Sequence, residues 1–416
     1  MKKIILLVLL SICASKELFE DYYDEATRIM AKMTMEQRIG QLFFPRFDSK
    51  RSIDDIKERY AGGFVLFADD FKFNETEIIN RMNNIQNLSN STIGLPLGLA
   101  VDEEGGTVVR VSMHHRKERF PSPMDIYNKS GIQGILKIDQ EKRDLLRKFK
   151  MNINLAPVAD IAYNSSSFIY KRTLGKKPEE TAKYIAADVE GYNNDGFTCC
   201  AKHFPGYGNN IDTHKSQAHD LRPYYVFLEE DFMTFNASIA KEIPMILVSH
   251  NIVDCKDNKY PASISKIWHD ILRKDLNFSG LIITDDLAMG AMKNLTLEVP
   301  HIINAVNAGN DILLTSNYME DIKYVKEAIK NGTIAEETIN TACKRIIAWK
   351  LKYLIHKDFK KKTNVVDKSK RTWIVIVAIV GVSLLTIGVI LLVRYLKREE
   401  NTDEVEDLNQ SGPKFE

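Results

Sequence analysis

One carboxylate in this chain directly follows a short apolar stretch, which is a favourable position for a reactive group. Asp285 comes after residues 281–284, whose composition is typical of a buried strand. A carboxylate at the end of such a strand is held rigidly and is partly removed from water. It therefore suits a nucleophile that attacks an anomeric carbon, or a group that stabilises an oxocarbenium ion. Asp286 stands beside it and is a candidate N-cap for the helix that follows, so the two aspartates can divide these roles.

A second candidate pair consists of Asp212 and His214, two residues apart in a segment rich in turn-forming residues. An aspartate this close to a histidine can orient the imidazole, and such a pair can act as general acid and base. The alternative is an ordinary surface contact between the two side chains. A metal site is a further alternative, but Asp212, His214 and His219 lack the close spacing of metal ligands. We therefore predict no metal and no cofactor.

Further charged residues follow other strand-like stretches. Asp102 opens the turn 102–106, in which three carboxylates could hold a divalent cation, or Asp102 alone could bind a sugar hydroxyl. Arg172 is either a solvated charge or a substrate clamp. The candidate binding residues are Asp102, Arg110, Arg172, Lys202 and His203.

These residues can act together only if the strands that carry them end at one edge of the fold. Eight short apolar stretches alternate with amphipathic ones, which is typical of parallel strands covered by helices. The eight predicted strands are Ile39–Phe44, Gly63–Phe67, Leu97–Val101, Asn152–Val158, Phe197–Lys202, Met245–Ser249, Leu281–Thr284 and Asp311–Thr315. The predicted helices include 74–89, 178–194, 263–275, 299–308 and 319–330, and Thr34–Gln37 is a capping box.

The number of units favours a closed barrel over an open, doubly wound sheet. No Gly-x-Gly-x-x-Gly follows the first strand, which argues against a dinucleotide-binding fold. We predict the α/β class, with a single (β/α)8 barrel of the TIM type. The ionisable residues at its strand ends converge on one mouth, where barrel enzymes carry out their chemistry.

The two ends of the chain have a different composition from the body. Residues 1–15 have a basic start, an apolar stretch and small residues, which predicts a secretory signal peptide. Residues 373–393 carry no charge, are rich in Ile, Val and Leu, and are long enough to span a bilayer. We therefore expect a barrel domain at 16–358, a basic juxtamembrane linker at 359–372, a transmembrane helix at 373–393 and a cytosolic tail at 394–416.

This arrangement predicts a single-pass membrane protein whose catalytic domain is extracellular or lumenal. Glycosylation sequons in the body agree with that location. They begin at Asn74, Asn87, Asn90, Asn128, Asn164, Asn236, Asn277, Asn294 and Asn331. Across the 416 residues, 57 basic and 56 acidic residues give a net charge of +1. This balance gives no general reason to bind nucleic acid. The expected partners are a glycan and the lipid bilayer, and we expect a monomer.

Four motifs in this order resemble the barrel domain of glycoside hydrolase family 3, in its β-N-acetylglucosaminidase branch. The resemblance runs from about residue 33 to about residue 315. The motifs are Ala-Val-Asp-Glu-Glu-Gly-Gly at 100–106, Asn-Leu-Ala-Pro-Val-Ala-Asp at 154–160, Lys-His-Phe-Pro-Gly at 202–206 and Thr-Asp-Asp-Leu-Ala-Met at 284–289. The chain departs from the family pattern at Thr107, Tyr207, Asn209 and Asn210.

The resemblance implies a retaining exo-glycosidase that removes terminal β-linked N-acetylglucosamine through a covalent glycosyl-enzyme intermediate. By position in the motifs, Asp285 matches the nucleophile, and His214 with Asp212 matches the acid/base pair. Asp102, Arg110, Arg172, Lys202 and His203 match sugar-binding positions. Two alternatives stay open: a glycoside phosphorylase acting on the same sugars, and a non-catalytic glycan-binding surface protein.

Overall fold

A computed structural model describes residues 16–293 and 295–356. The predicted signal peptide, juxtamembrane linker, transmembrane segment and tail lie outside the described residues, as do residues 357 and 358 of the predicted barrel domain. Within the part that is described, no helix combines the length and the apolar character needed to cross a bilayer.

Eight parallel strands form a barrel of the TIM type. The barrel strands are β1 Phe43–Pro45, β2 Gly63–Leu66, β3 Gly98–Val101, β4 Ile153–Asn154, β5 Thr198–Phe204, β7 Met245–Val248, β9 Leu281–Thr284 and β10 Leu313–Thr315. Six of them pair in the order β2-β3-β4-β5-β7-β9, and β1 pairs with β10. Single bridges, Arg46 with Val65 and Ile283 with Ile312, join these two sheets and close the ring. Two further short strands, β6 Ala218–Asp220 and β8 Asn251–Val253, pair with each other.

Helices cover the outside of the barrel. Within the described residues they are α1 Tyr23–Met30, α2 Met35–Leu42, α3 Ser52–Lys57, α4 Glu75–Ile93, α5 Ser112–His115, α6 Pro123–Lys148, α7 Pro178–Asn194, α8 Tyr224–Glu229, α9 Asp231–Ala240, α10 Lys266–Asp270, α11 Gly290–Lys293, α12 His301–Ala308, α13 Tyr318–Lys330 and α14 Glu336–Lys350. The apolar strands lie between these helices and the barrel interior, so both of their faces are buried, as their unbroken apolar composition predicted.

The predicted first strand is wrong over most of its length. Ile39–Leu42 belong to α2, and the strand itself begins only at Phe43. The capping box at Thr34 starts this helix as predicted, with Thr34 and Gln37 exchanging side-chain and backbone hydrogen bonds. Ile39 and Leu42 are both buried, and a short apolar run of this kind does not distinguish a buried helical turn from a strand. The fourth strand is also shorter than predicted, and 263–275 is a broken rather than a continuous helix.

A buried lysine joins the last helix to the barrel. The Nζ atom of Lys350 in α14 donates hydrogen bonds to Gln41 Oε1 at 2.7 Å and to the carbonyl oxygen of Gly62 at 2.8 Å. Neither partner is charged, and burial lowers the pKa of Lys350 from 10.5 to about 7. Above pH 7 the unfolded chain therefore holds more protons at this lysine than the folded chain does, and folding stability must rise with pH.

We predict that Lys350→Met removes this dependence. The wild type minus variant difference in free energy of unfolding should rise by about 1.5 kcal/mol between pH 7 and pH 8.5. Urea unfolding at several pH values measures this difference. The pH range of the experiment ends where the buried thiols begin to titrate in the unfolded chain. A difference that does not change with pH would contradict the prediction.

Candidate active site

A cavity of about 420 Å³ opens at the carboxyl ends of the barrel strands. Seven of the eight predicted site residues line it, and the eighth, Asp212, contacts His214 at its edge. The cavity is lined by Phe44, Arg46, Val65, Phe67, Asp102, Thr107, Val108, Arg110, Leu155, Phe168, Arg172, Lys202, His203, His214, Leu247, Asp285, Asp286, Met289, Leu314 and Thr315. Residues far apart in the sequence meet here because parallel strands place their carboxyl ends at the same side of the barrel.

Lys202 lies between two carboxylates at the base of this cavity. Its Nζ atom is 2.7 Å from Asp102 Oδ1 and 2.6 Å from Glu104 Oε1, and its side chain is only 3% exposed. Burial acts to lower the pKa of Lys202, but Asp102 and Glu104 outweigh burial and raise it. Lys202 is therefore fully protonated at neutral pH, and its charge is matched on two sides.

Arg172 completes this group of charges. Its Nε and Nη2 atoms donate to the two oxygens of Glu104 at 2.9 and 2.7 Å, a bidentate arrangement. Although burial acts to raise the pKa of Glu104, Arg172 and Lys202 lower it to about 2. Lys202 and Arg110 likewise lower the pKa of Asp102 against the effect of burial. Both carboxylates are therefore ionised at neutral pH.

The three carboxylates of the turn 102–106 do not form a cation site. Glu103 points away from Lys202 and is fully buried, where it accepts hydrogen bonds from the backbone N–H groups of Arg110, Val111 and Ser112. Glu103 thus caps the start of the short helix α5. Its carboxylate is therefore turned away from the two carboxylates of the same turn that bind Lys202. Among the described residues, no group of three metal-ligating side chains is present.

Asp160 is a site residue that was not among the predicted ones. Its Oδ2 atom is 2.7 Å from His203 Nδ1, and its Oδ1 atom accepts the backbone N–H of Tyr207 at 2.8 Å. His203 Nε2 lies 3.1 Å from Arg172 Nη2, which can only donate. His203 therefore carries its single proton on Nδ1 and donates it to Asp160. The aspartate that ends the motif at 154–160 was the signal for this role.

Asp285 has histidines around it. Burial acts to raise the pKa of Asp285, but neighbouring histidines, His250 first and also His214, outweigh burial and lower it. The backbone N–H of Asp286 also donates to Asp285 Oδ1 at 2.9 Å. The carboxylate is therefore ionised at neutral pH and is available as a nucleophile.

Asp286 is not the helix N-cap that its position predicted. Its Oδ1 atom accepts the backbone N–H groups of Ala288 at 2.9 Å and Ser316 at 3.0 Å, and its Oδ2 atom accepts the hydroxyl of Ser316 at 2.6 Å. Because α11 begins only at Gly290, the carboxylate caps a turn before the helix and ties the end of β9 to the end of β10. The two adjacent aspartates thus have different surroundings.

The segment 205–217, which we name the dyad loop, carries Asp212 and His214. Asp212 Oδ1 is 2.7 Å from His214 Nδ1 and accepts the backbone N–H of His214 at 3.0 Å. The loop is attached at its tip, where the carbonyl oxygens of Thr213 and His214 accept the N–H groups of Ala291 and Gly290. The ring of Phe168 packs beside the imidazole at 6.0 Å between centroids.

Arg222 holds the two ends of the dyad loop together. It forms ion pairs with Asp220 at 2.8 Å and with the buried Asp231 at 2.7 Å, and it donates to the carbonyl oxygen of Gly206 at 3.2 Å. A Cβ atom at Gly206 would lie 1.9 Å from Asp231 Oδ1, and Gly206 has φ +131°. Glycine is therefore required where the loop leaves β5, because the backbone approaches the Arg222–Asp231 pair closely.

The hydrogen bonds distinguish the three histidines near Asp285. Both ring nitrogens of His203 have partners, and so do both ring nitrogens of His250, which bind Ser263 Oγ at 2.7 Å and the carbonyl oxygen of Asp286 at 3.0 Å. His214 is 57% exposed and binds Asp212 through Nδ1. Its Nε2 atom has no hydrogen-bond partner within residues 16–293 and 295–356, so His214 has a ring nitrogen available to a ligand.

A TIM-type barrel with a buried aspartate, a histidine with a free ring nitrogen and fixed charges around one cavity has the features of an enzyme active site, and they suit a glycosidase. The chain belongs to glycosyl hydrolase family 3, because the N terminal domain of that family matches residues 34–349.

Relatives and solved structures agree with this assignment. An uncharacterized secreted glycosyl hydrolase of Arthroderma benhamiae is 30% identical over 310 residues, 70% of this chain and 85% of the relative. A beta-hexosaminidase of Actinobacillus pleuropneumoniae serotype 5b is 27% identical over 318 residues, 72% of this chain and 88% of the relative. The structure of a family 3 β-N-acetylglucosaminidase from Paenibacillus has a TM-score of 0.73 at 24% identity, over 78% of this chain and 63% of that one. This chain thus spans less than two thirds of that structure's length, and the structural likeness establishes the fold.

Proposed function

We propose that this family 3 glycosidase is a retaining exo-enzyme that removes terminal β-linked N-acetylglucosamine from oligosaccharides or glycoconjugates. One observation carries the proposal: Asp285 and His214 line the same cavity, one ionised and the other with a free ring nitrogen. The names of the relatives, beta-hexosaminidase and β-N-acetylglucosaminidase, support the choice of sugar.

In the first step, a carboxylate oxygen of Asp285 attacks the anomeric carbon as the bond to the leaving oxygen breaks. His214 donates its Nε2 proton to that oxygen, which leaves as an alcohol. Asp212 accepts a hydrogen bond from the Nδ1–H group of His214, so it fixes the imidazole ring with Nε2 toward the cavity. The product of this step is a glycosyl ester on Asp285 and a neutral His214.

In the second step, His214 removes a proton from water as the water oxygen attacks the same carbon. The bond to Asp285 breaks, and the carboxylate and the protonated imidazole are regenerated. Two inversions at one carbon retain the β configuration. In this proposal the hydroxyl groups of the terminal sugar are bound by Asp102, Arg110, Arg172, Lys202 and His203. This role suits these side chains because ion pairs and hydrogen bonds hold them in place.

We also propose that the enzyme is a monomer anchored in a membrane through residues 373–393, with domain 16–358 outside the cytosol after loss of residues 1–15. The linker 359–372 and the tail 394–416 flank the anchor. Every sequon asparagine within the described residues is exposed, as N-glycosylation requires. The secreted relative from Arthroderma benhamiae supports an extracytosolic location.

Asp285→Asn should reduce hydrolysis of aryl β-N-acetylglucosaminide by several orders of magnitude, because a neutral amide cannot act as the nucleophile. Asp286→Asn is the matched control. It keeps an oxygen for Ala288 and Ser316 and should reduce hydrolysis much less. Release of phenol measures the activity of both variants. An aryl β-glucoside, used as a second substrate, tests the preference of the enzyme for the N-acetylglucosamine unit. Proton NMR of the first product of the wild type should find the β anomer. Near-normal turnover by Asp285→Asn would refute the mechanism.

His214→Ala should lose far more activity on a β-linked disaccharide than on a substrate with an acidic phenol, since only the disaccharide needs its leaving oxygen protonated. General acid catalysis contributes about 10²–10⁴-fold, and the gap between the two losses should approach that range. Asp212→Asn should change both rates in the same direction by less. Steady-state kcat/KM values measure the effect. Equal losses on both substrates would assign His214 to binding or to loop structure.

Truncation after residue 365 should release a secreted, soluble and active protein, whereas the full chain should stay with membranes after an alkaline wash. Both forms should lose mass when an amidase removes N-linked glycans. Immunoblots of membrane and medium fractions measure these outcomes. Release of the full chain by the alkaline wash would exclude the anchor.

A further inference from the structure

A buried cluster of ionisable side chains lies behind the active-site cavity, on helices α6 and α7. Asp139 and Lys142 stand about one turn apart on α6, and Asp188 belongs to α7. Each of the three residues is only 2% exposed, and none of them lines the cavity. The reaction proposed above does not use these groups, although burying ionisable side chains is unfavourable unless they compensate one another.

One ammonium group, one carboxylate and one carboxylic acid make up this cluster. Lys142 Nζ lies 2.8 Å from Asp139 Oδ1, so these two side chains form a buried ion pair. Asp188 is hydrogen-bonded to Asp139, and burial together with the Asp139 carboxylate raises the pKa of Asp188 well above its usual range. Asp188 is therefore neutral at pH 7 and donates its proton to Asp139. One carboxylate thus matches the charge of Lys142, and its other N–H groups can bind a neutral acceptor.

That neutral acceptor belongs to the turn 102–106 at the mouth of the barrel. Lys142 Nζ donates a hydrogen bond to the carbonyl oxygen of Glu104 at 2.7 Å. The backbone N–H of Glu104 donates to the carbonyl oxygen of Val108 at 3.0 Å, a contact within the same loop. Lys142 therefore connects the backbone of Glu104 to the helix layer outside the barrel.

The side chain of Glu104 acts on the opposite side, in the cavity. Its carboxylate accepts two hydrogen bonds from Arg172, at 2.9 and 2.7 Å, and lies 2.6 Å from Lys202 Nζ. A bidentate pair depends on the position and the angle of the carboxylate, so a shift of Glu104 would displace Arg172 and Lys202 with it. The carbonyl group that Lys142 binds and the carboxylate that these two cations bind belong to the same residue.

We propose that Lys142 is a positioning residue: by binding the carbonyl group of Glu104, it holds Arg172 and Lys202 where they bind the terminal N-acetylglucosamine unit. This inference rests on the function proposed above and adds to it a residue that does not touch the substrate. Loss of Lys142 should weaken binding of the terminal sugar, whatever group is attached to that sugar. Proton transfer by His214 should be affected much less, because the dyad loop has its own attachments at Arg222 and Gly290.

Lys142→Met keeps an unbranched side chain but cannot donate a hydrogen bond. KM for an aryl β-N-acetylglucosaminide and the inhibition constant of free N-acetylglucosamine should both rise about 10-fold or more, since a misplacement of about 1 Å can cost about 10²-fold. The value of kcat should fall much less. The ratio of kcat/KM between a β-linked disaccharide and the aryl substrate should stay that of the wild type, in contrast to His214→Ala.

Lys350→Met is the matched control. Lys350 is also a buried lysine that donates to a backbone carbonyl oxygen, that of Gly62, but Gly62 precedes β2 at the opposite end of the barrel. Urea unfolding of both variants gives the loss of stability, and only Lys142→Met should also lose affinity for the sugar. An equal rise of the inhibition constant in both variants would overturn the positioning role.

Lys142→Met leaves Asp139 without its cation, so a second variant combines it with Asp139→Asn. No charge is then left in the cluster, which removes the penalty of an unpaired buried carboxylate. The carbonyl group of Glu104 still lacks its donor, so the affinity for the sugar should remain low. Wild-type affinity in this double variant would assign Lys142 to stability alone.

Calorimetry with free N-acetylglucosamine needs no turnover and therefore separates the two proposals. Normal hydrolysis by the wild type with unchanged sugar affinity in Lys142→Met would refute the positioning role and leave the function standing. A wild type that binds the sugar without hydrolysing its glycosides, together with weaker binding by Lys142→Met, would support the positioning role and refute the proposed function. A wild type that neither binds the sugar nor hydrolyses its glycosides would refute both.

Discussion

The burial of Lys202 between Asp102 and Glu104 is the constraint on which the mouth of this barrel depends. Lys202 in β5 is almost fully removed from water and stays charged because two carboxylates match its charge at 2.6–2.7 Å. Both carboxylates belong to the turn after β3, and β4 lies between β3 and β5. The ion pairs therefore fix the ends of three neighbouring strands relative to one another. Removing any one of these charges would leave a buried partner less fully compensated, so the geometry of the site and the stability of the barrel depend on the same interactions.

From that lysine, a continuous series of hydrogen bonds reaches the dyad loop. Glu104 holds Arg172, Arg172 donates to His203, His203 donates to Asp160, and Asp160 accepts the N–H of Tyr207. Tyr207 lies in the dyad loop, and its hydroxyl contacts Thr213 between Asp212 and His214. Arg222 closes the loop from its other end through Asp220 and Asp231. A loop with an exposed tip is thus attached at both ends to buried ionic pairs, and few alternative positions are open to its histidine.

Features that depend on local composition could be predicted from the sequence, and features that depend on which partner a side chain meets could not. The apolar stretches predicted the eight strands and the meeting of their ends. The capping box predicted the helix start at Thr34. Ile39–Leu42 were misassigned, because a short buried apolar run has the same composition in a helix and in a strand. Glu103 and Glu104 are adjacent and identical in type, yet one caps a helix and the other binds Arg172; only tertiary contacts distinguish them. For the same reason Asp160 was not predicted.

The choice of a histidine for the proposed acid/base follows from the charge balance around Asp285. Burial favours the neutral form of that carboxyl, and a second carboxylate at the position of His214 would raise its pKa further by like-charge repulsion. The imidazole has the opposite effect, since it lowers the pKa of Asp285 when charged and adds no negative charge when neutral. The nucleophile is therefore ionised at the start of the proposed cycle, before it forms the glycosyl ester, and it leaves as a carboxylate again when the ester is hydrolysed.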